Sequence, residues 1–136
     1  MGALVFDGDR ILLAERGREP LKGYWSLPGG VLETGETLDS GIRREVLEET
    51  GLVVETAGVA EVFERIMRDK DGRAEYHYVL IDYYCRVTGG VLSAGDDCSP
   101  ARWFAIAELP GLLLTEGTLG VIEKAYETYQ RRSARI

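Results

Sequence analysis

Residues 37–51 carry glutamates at a spacing that can do chemistry. On a helical wheel at about 100° per residue with Glu45 at zero, Glu48 falls near −60° and Glu49 near +40°, so the three carboxylates share one arc. Leu38, Ile42 and Val46 fall at about +20°, +60° and +100° on the same wheel. The carboxylates therefore continue the line of the apolar stripe, at the edge of the buried face and in a groove. Like charges at helical neighbour spacing cost roughly 0.2–0.5 kcal/mol per exposed pair, and more when half buried. A hard cation relieves that repulsion. Carboxylate oxygens are preferred ligands of Mg2+ or Mn2+, with waters and a phosphate group completing an octahedron. Arg44, one turn before Glu48, is placed to orient a carboxylate through a charge-assisted bond. The plain alternative is a solvated helix face that binds nothing.

The elements around this segment follow from local signals. Thr37 is suited to cap a helix that runs to about residue 50, with Asp39 in its first turn and Gly51 to end it. A Pro28-Gly29-Gly30 turn precedes it. Residues 4–6 and 10–14 read as two strands joined through Asp7-Gly8-Asp9, and residues 16–27 as a loop. Residues 59–67 and 76–87 are rich in β-branched and aromatic residues and flank the turn Asp69-Lys70-Asp71-Gly72, which predicts a long hairpin. A further strand is expected over 102–106. Leu119, Ile122, Ala125, Tyr126 and Tyr129 recur at helical spacing, as in an amphipathic helix packed on a sheet. The sum is an α/β layered domain with a mixed sheet.

The 136 residues suffice for one domain, expected to span 1–136, and a content of 45% apolar and 29% charged residues is that of a globular chain. The formal charge of −7 argues against a nucleic-acid backbone as partner, which calls for a basic surface. It is compatible with a phosphate substrate only if a metal stands between substrate and carboxylates. No apolar run approaches the roughly 20 residues that span a bilayer, and the residues after Met1 do not resemble a leader, so no membrane contact is expected. Two cysteines, Cys85 and Cys98, form neither a metal clip nor a disulfide scaffold. A reduced, cytoplasmic setting is expected.

The stretch GGVLETGETLDSGIRREVLEETGL resembles the Nudix signature at every defining position. Gly30 is followed after five residues by Glu36, then after seven by Arg44-Glu45, Val46, Leu47, Glu48-Glu49, Thr50, Gly51 and Leu52. Trp25, Leu27 and Pro28 also look like the family's lead-in. The resemblance, with its signature over 30–52, implies an α/β/α sandwich and hydrolysis of a nucleoside diphosphate linked to another group. It implies that Glu45, Glu48 and Glu49 bind one or more Mg2+ ions, or Mn2+ in their place. The backbone carbonyl of Gly29 would be a further ligand, with Glu36 supporting the set from behind. Water attacks a phosphorus while the metal neutralises the non-bridging oxygens.

The base that takes the proton is either the first glutamate of the helix or a carboxylate on a later loop, where Asp97 and Asp96 come first and Glu108 after them. Their alternative is a polar turn. Relatives often carry a glutamate shortly before the tryptophan matching Trp103, whereas this chain has Ser99-Pro100-Ala101. Arg16 and Tyr24 are the expected substrate-binding residues, the first at a position where the family often has arginine, the second by stacking on a base. Trp25 could stack on a base as well but equally packs the loop that carries the turn, His77 is read as a strand residue, and Cys85 as core.

The leading expectation is hydrolysis of an ADP-ribose-like substrate. The alternative is a nucleoside triphosphate pyrophosphohydrolase acting on oxidised nucleotides. A ligand sensor of the same fold that has lost the chemistry ranks last, because the acidic positions are intact. A homodimer is compatible with the family.

Overall fold

The computed structural model describes residues 1–19, 21–93 and 100–134. The element order is β1 (Gly2–Asp7), β2 (Arg10–Glu15), β3 (Trp25–Ser26), α1 (Leu38–Thr50), β4 (Leu52–Arg68), β5 (Ala74–Gly90), β6 (Ala101–Ala105), a 3-10 helix over Ile106–Gly111, and α2 (Thr118–Ala134). The strands form one mixed sheet in the order β3-β2-β1-β5-β4, with β6 on β2. The β1–β5 pair is parallel and the others antiparallel.

Alternation along the central strands separates two cores. Leu4, Ile11 and Leu13 face one side, where they pack with Trp25, Tyr84, Phe104, Leu109 and the α2 residues Ile122 and Ala125. Ala3, Val5 and Leu12 face the other, with Cys85, Leu52, Val54 and the α1 residues Ile42 and Val46. A strand covered on both faces needs apolar residues at every position, which is why β1 and β2 read as unbroken apolar runs. The result is an α/β/α sandwich with a mixed sheet, as expected from the sequence. Among the described residues no helix is long and apolar enough to cross a membrane.

Two features of this fold position the glutamates. Strands β1 and β2 pair only near their shared turn, at Phe6↔Ile11 and Asp7↔Arg10. The chain from β3 onward fills the gap as they diverge. Trp25 and Ser26 pair with Glu15 and Ala14, then Ala3 N–H donates to the Pro28 carbonyl at 2.8 Å and Gly30 N–H to the Met1 carbonyl at 3.1 Å. A Cβ on Gly29 would lie 2.0 Å from the Met1 carbonyl oxygen, so only glycine allows this approach.

Helix α1 begins where the Thr37 side chain accepts from Ser40 N–H at 3.1 Å. It ends at Gly51, whose left-handed φ of 78° lets its N–H donate to the Leu47 carbonyl. Leu38, expected on the apolar stripe, is 37% exposed. It is the first residue of the helix, and continuous burial begins at Gly41 and Ile42. Both long strands outrun their expected bounds, because β4 starts directly after Gly51 and β5 follows it back to Gly90.

Candidate active site

Arg44 is the hub of the acidic cluster. Its Nε donates to Glu36 Oε2 at 2.6 Å and its Nη2 to Glu36 Oε1 at 3.0 Å, a two-pronged pair. The remaining Nη1 reaches Glu45 Oε1 at 3.1 Å and Glu48 Oε2 at 3.2 Å, and Nη2 also meets the Val31 carbonyl at 3.3 Å. The Glu36 carboxyl is held below its ordinary range, first by Arg44 and then by Glu33 N–H. Arg44 is in turn pushed up, chiefly by Glu36. One arginine thus hydrogen-bonds three carboxylates and ion-pairs with a fourth, Glu33, at 3.6 Å.

Glu49 is placed differently. Its Oε2 accepts from Gly29 N–H at 3.1 Å, which ties the end of α1 to the glycine turn. Burial pushes its carboxyl up to about 7; the Gly29 hydrogen bond opposes this, and the charges of Glu45 and Glu48 add to it. Glu45 lies under the turn, with 15% side-chain exposure. A Cβ on Gly30 would sit 2.5 Å from the Glu45 carboxyl. Glu48 is 59% exposed, outside the groove expected for all three, because its wheel position is farthest from the buried stripe.

Among the described residues no three His, Cys, Asp or Glu side chains are gathered tightly enough, as they stand, to hold a metal ion. The arrangement shows why: Arg44 Nη1 lies between Glu45 and Glu48, while Glu49 is turned to Gly29. The donor set nevertheless fits a hard cation. Three carboxylates lie within two helical turns, one of them resists ionisation because it is buried and faces two like charges, and Gly30 leaves room above Glu45. Nη1 can release Glu45 and Glu48 while Nε and Nη2 keep Glu36.

On the α2 side of the sheet, beside the start of β1, lies a cavity of about 300 Å³. Leu27, Phe63, Leu80 and Val121 supply apolar wall, and Arg65, Asp82 and Glu116 its charged side chains, of which Asp82 alone is buried. Met1 and Gly2 also line it, and Gly2 bridges to Gly29. The cavity thus adjoins Met1–Gly2, and the acidic cluster the Gly29–Gly30 segment bridged to it.

Of the other residues expected in the site, Arg16 is exposed past the end of β2, where its N–H donates to the Tyr24 carbonyl at 2.8 Å. Tyr24 is half-buried, and neither residue lines the cavity. Asp96 and Asp97 lie outside the described residues. Glu108 caps the 3-10 helix, accepting from Ala105 N–H at 2.7 Å. Trp25 is buried edge-on to Phe104, His77 pairs with Glu64 on the hairpin surface, and burial pushes the Cys85 thiol up to about 12.

Asp82 was not among the expected residues. Its signal was a lone carboxylate in the run Val79-Leu80-Ile81-Asp82-Tyr83-Tyr84, at a position whose neighbours two residues either side face inward.

The NUDIX domain profile matches residues 1–124. The chain belongs to the Nudix family and is a pyrophosphohydrolase. It is 37% identical to an ADP-ribose pyrophosphatase of Methanocaldococcus jannaschii, over 95% of this chain and 73% of the relative. It is 32% identical to an 8-oxo-dGDP phosphatase of Mus musculus over 90% of this chain, and spans 36% of that longer protein. Among solved structures, a MutT Nudix hydrolase from Burkholderia pseudomallei superposes with a TM-score of 0.74 at 30% identity, covering 90% of this chain and 93% of the other.

Proposed function

We propose that residues 1–136 act as one domain that hydrolyses a nucleoside diphosphate linked to a further group, an ADP-ribose-like molecule, with Mg2+ or Mn2+ bound at the acidic edge of α1. The carrying observation is adjacency: the cavity is lined by Gly2, which bridges to Gly29, and Gly29 N–H holds Glu49 of the acidic cluster. A diphosphate over the cluster would leave the organic end of the substrate in the cavity. The relative from Methanocaldococcus jannaschii supports the substrate class.

Glu45, Glu48 and Glu49 would hold the metal, with the Gly29 carbonyl beside them. When bound, the metal lowers the pKa of attacking water and neutralises charge on the phosphate oxygens. Glu36 fixes Arg44 through its two hydrogen bonds, and Arg44 keeps Glu45 and Glu48 in register. Gly29 N–H orients Glu49. The proton of the attacking water goes to Glu45 or to a carboxylate of the Asp96-Asp97 segment. Arg16 and Tyr24 contribute to substrate binding only from outside the cavity.

A second reading is pyrophosphohydrolysis of oxidised nucleotides, favoured by the likeness to the 8-oxo-dGDP phosphatase. ADP-ribose, NADH, dinucleoside polyphosphates and oxidised nucleoside triphosphates, assayed with Mg2+, separate the two. ADP-ribose is expected to be cleaved to AMP and ribose 5-phosphate with the highest kcat/KM. Preference for an oxidised triphosphate would favour the second reading, and cleavage of none would refute both.

We place this reaction in the cytoplasm. A homodimer is supported by the exposed apolar residues Met67, Tyr76 and Tyr78 on the β4–β5 hairpin. Light scattering at micromolar concentration should then give twice the 15.1 kDa chain mass.

A further inference from the structure

Asp82 is a costly residue where it stands. It is 5% exposed, yet its carboxyl receives no hydrogen bond from the other described residues, and its oxygens are not sealed from the cavity that it lines. A carboxyl so far desolvated, with no hydrogen bond from the protein, costs up to about 1–3 kcal/mol. The fold makes room for it nonetheless. Gly2 lies opposite in the parallel pair, and a Cβ there would stand 2.3 Å from Asp82 Oδ1. Burial, opposed by the Met1 amino group and aided by Glu61, leaves the carboxyl above its ordinary range. A desolvated carboxyl without a protein hydrogen bond, lining a cavity, is poised for a ligand.

The lining indicates which part of a substrate it meets. Leu27, Phe63, Leu80 and Val121 make apolar wall, and Phe63 and Leu80 are register partners on adjacent strands facing the same way. A sugar carries hydroxyls on every side and needs polar groups all round. A nucleobase has apolar faces and a polar edge, which suits apolar walls with one buried carboxyl between them, the other charged lining side chains, Arg65 and Glu116, being exposed. The volume is at the low end of ligand sites, about 300–1,000 Å³, which accommodates a base or nucleoside rather than a whole dinucleotide.

We infer that Asp82 is the specificity-determining residue of the cavity, its carboxyl hydrogen-bonding the polar edge of the substrate's nucleobase. The inference rests on the hydrolase reading above and adds to it the group that discriminates among bases. A site built to pair a buried polar group rejects ligands that leave it unpaired.

The test compares wild type with Asp82→Asn and Asp82→Leu on three substrates with Mg2+: ADP-glucose and GDP-glucose, which differ only in base, and ADP-ribose, which shares its base with the first. Asp82→Asn should change the ADP-glucose to GDP-glucose ratio of kcat/KM by at least about tenfold. The ADP-ribose to ADP-glucose ratio should stay within about twofold, and Asp82→Leu should melt no lower than wild type, since it removes an unpaired buried carboxyl. A fixed base ratio, a change confined to the sugar ratio, or a fall in melting temperature with both ratios preserved would overturn the assignment. If wild type cleaves none of the three, the hydrolase reading fails by itself. The affinity ratio for AMP against GMP, by calorimetry on wild type and Asp82→Asn, then decides the role of Asp82 alone, an unchanged ratio refuting it.

Discussion

Glu49→Gln should stabilise the metal-free protein, increasingly as pH rises above about 4.5 and fully above about 7. The wild-type carboxyl is pushed up to about 7 in the folded chain, chiefly by burial, from an ordinary value of 4.5. Below pH 4.5 the group is protonated in both folded and unfolded chains and costs nothing. Between 4.5 and about 7 the unfolded chain releases its proton first, so stability falls as pH rises, and above about 7 the full cost is present. At 1.36 kcal/mol per pH unit, that cost is on the order of 3 kcal/mol. Glutamine keeps an amide oxygen to accept from Gly29 N–H but carries no charge to desolvate. Urea denaturation of both proteins in EDTA, at pH 5 and pH 8, isolates the effect, because other titrating groups cancel in the difference. The variant should match wild type within about 1 kcal/mol at pH 5 and exceed it by about 2–3 kcal/mol at pH 8. Saturating Mg2+ at pH 8 should stabilise wild type more than the variant. A difference independent of pH would refute the idea that Glu49 is a desolvated charge awaiting a cation.

Gly30→Ala would bring a Cβ to 2.5 Å from the Glu45 carboxyl, and a displacement of about 1 Å can cost about a hundredfold in turnover. Circular dichroism should remain that of the folded protein while activity is lost. Glu36→Gln removes the charge that holds Arg44, so Mg2+ affinity by calorimetry should weaken about 10–100-fold. Ile42→Ala, at a fully buried α1 position, should cost about 2–5 kcal/mol in denaturant without altering KM.

What was legible in the sequence was local. The cap at Thr37, the stop at Gly51 and the arc of Glu45, Glu48 and Glu49 are all written within one helix, and the structure has them. The two hairpins were legible from their turns and from the apolar, β-branched and aromatic runs that flank them. Two-residue β3 was not, because only its pairing with β2 makes Trp25 and Ser26 a strand. Nor was the threading of Pro28–Gly30 along β1, which depends on the divergence of two strands far from it in sequence. Arg44 was expected to orient one carboxylate. That it binds Glu36 twice follows from the loop folding back on the helix, eight residues away. Asp82 stood in plain view as a charge in an apolar run, but its meaning needed the cavity.

The central claim is that the acidic edge of α1 performs metal-assisted cleavage of a diphosphate. Turnover of ADP-ribose by Glu48→Gln, at saturating Mg2+, tests it most directly. Glu48 is 59% exposed, so the variant should fold and melt like wild type. Losing a metal-holding carboxylate forfeits several kcal/mol of transition-state stabilisation, so kcat should fall about a hundredfold or more. Wild-type turnover by the folded variant would contradict the claim.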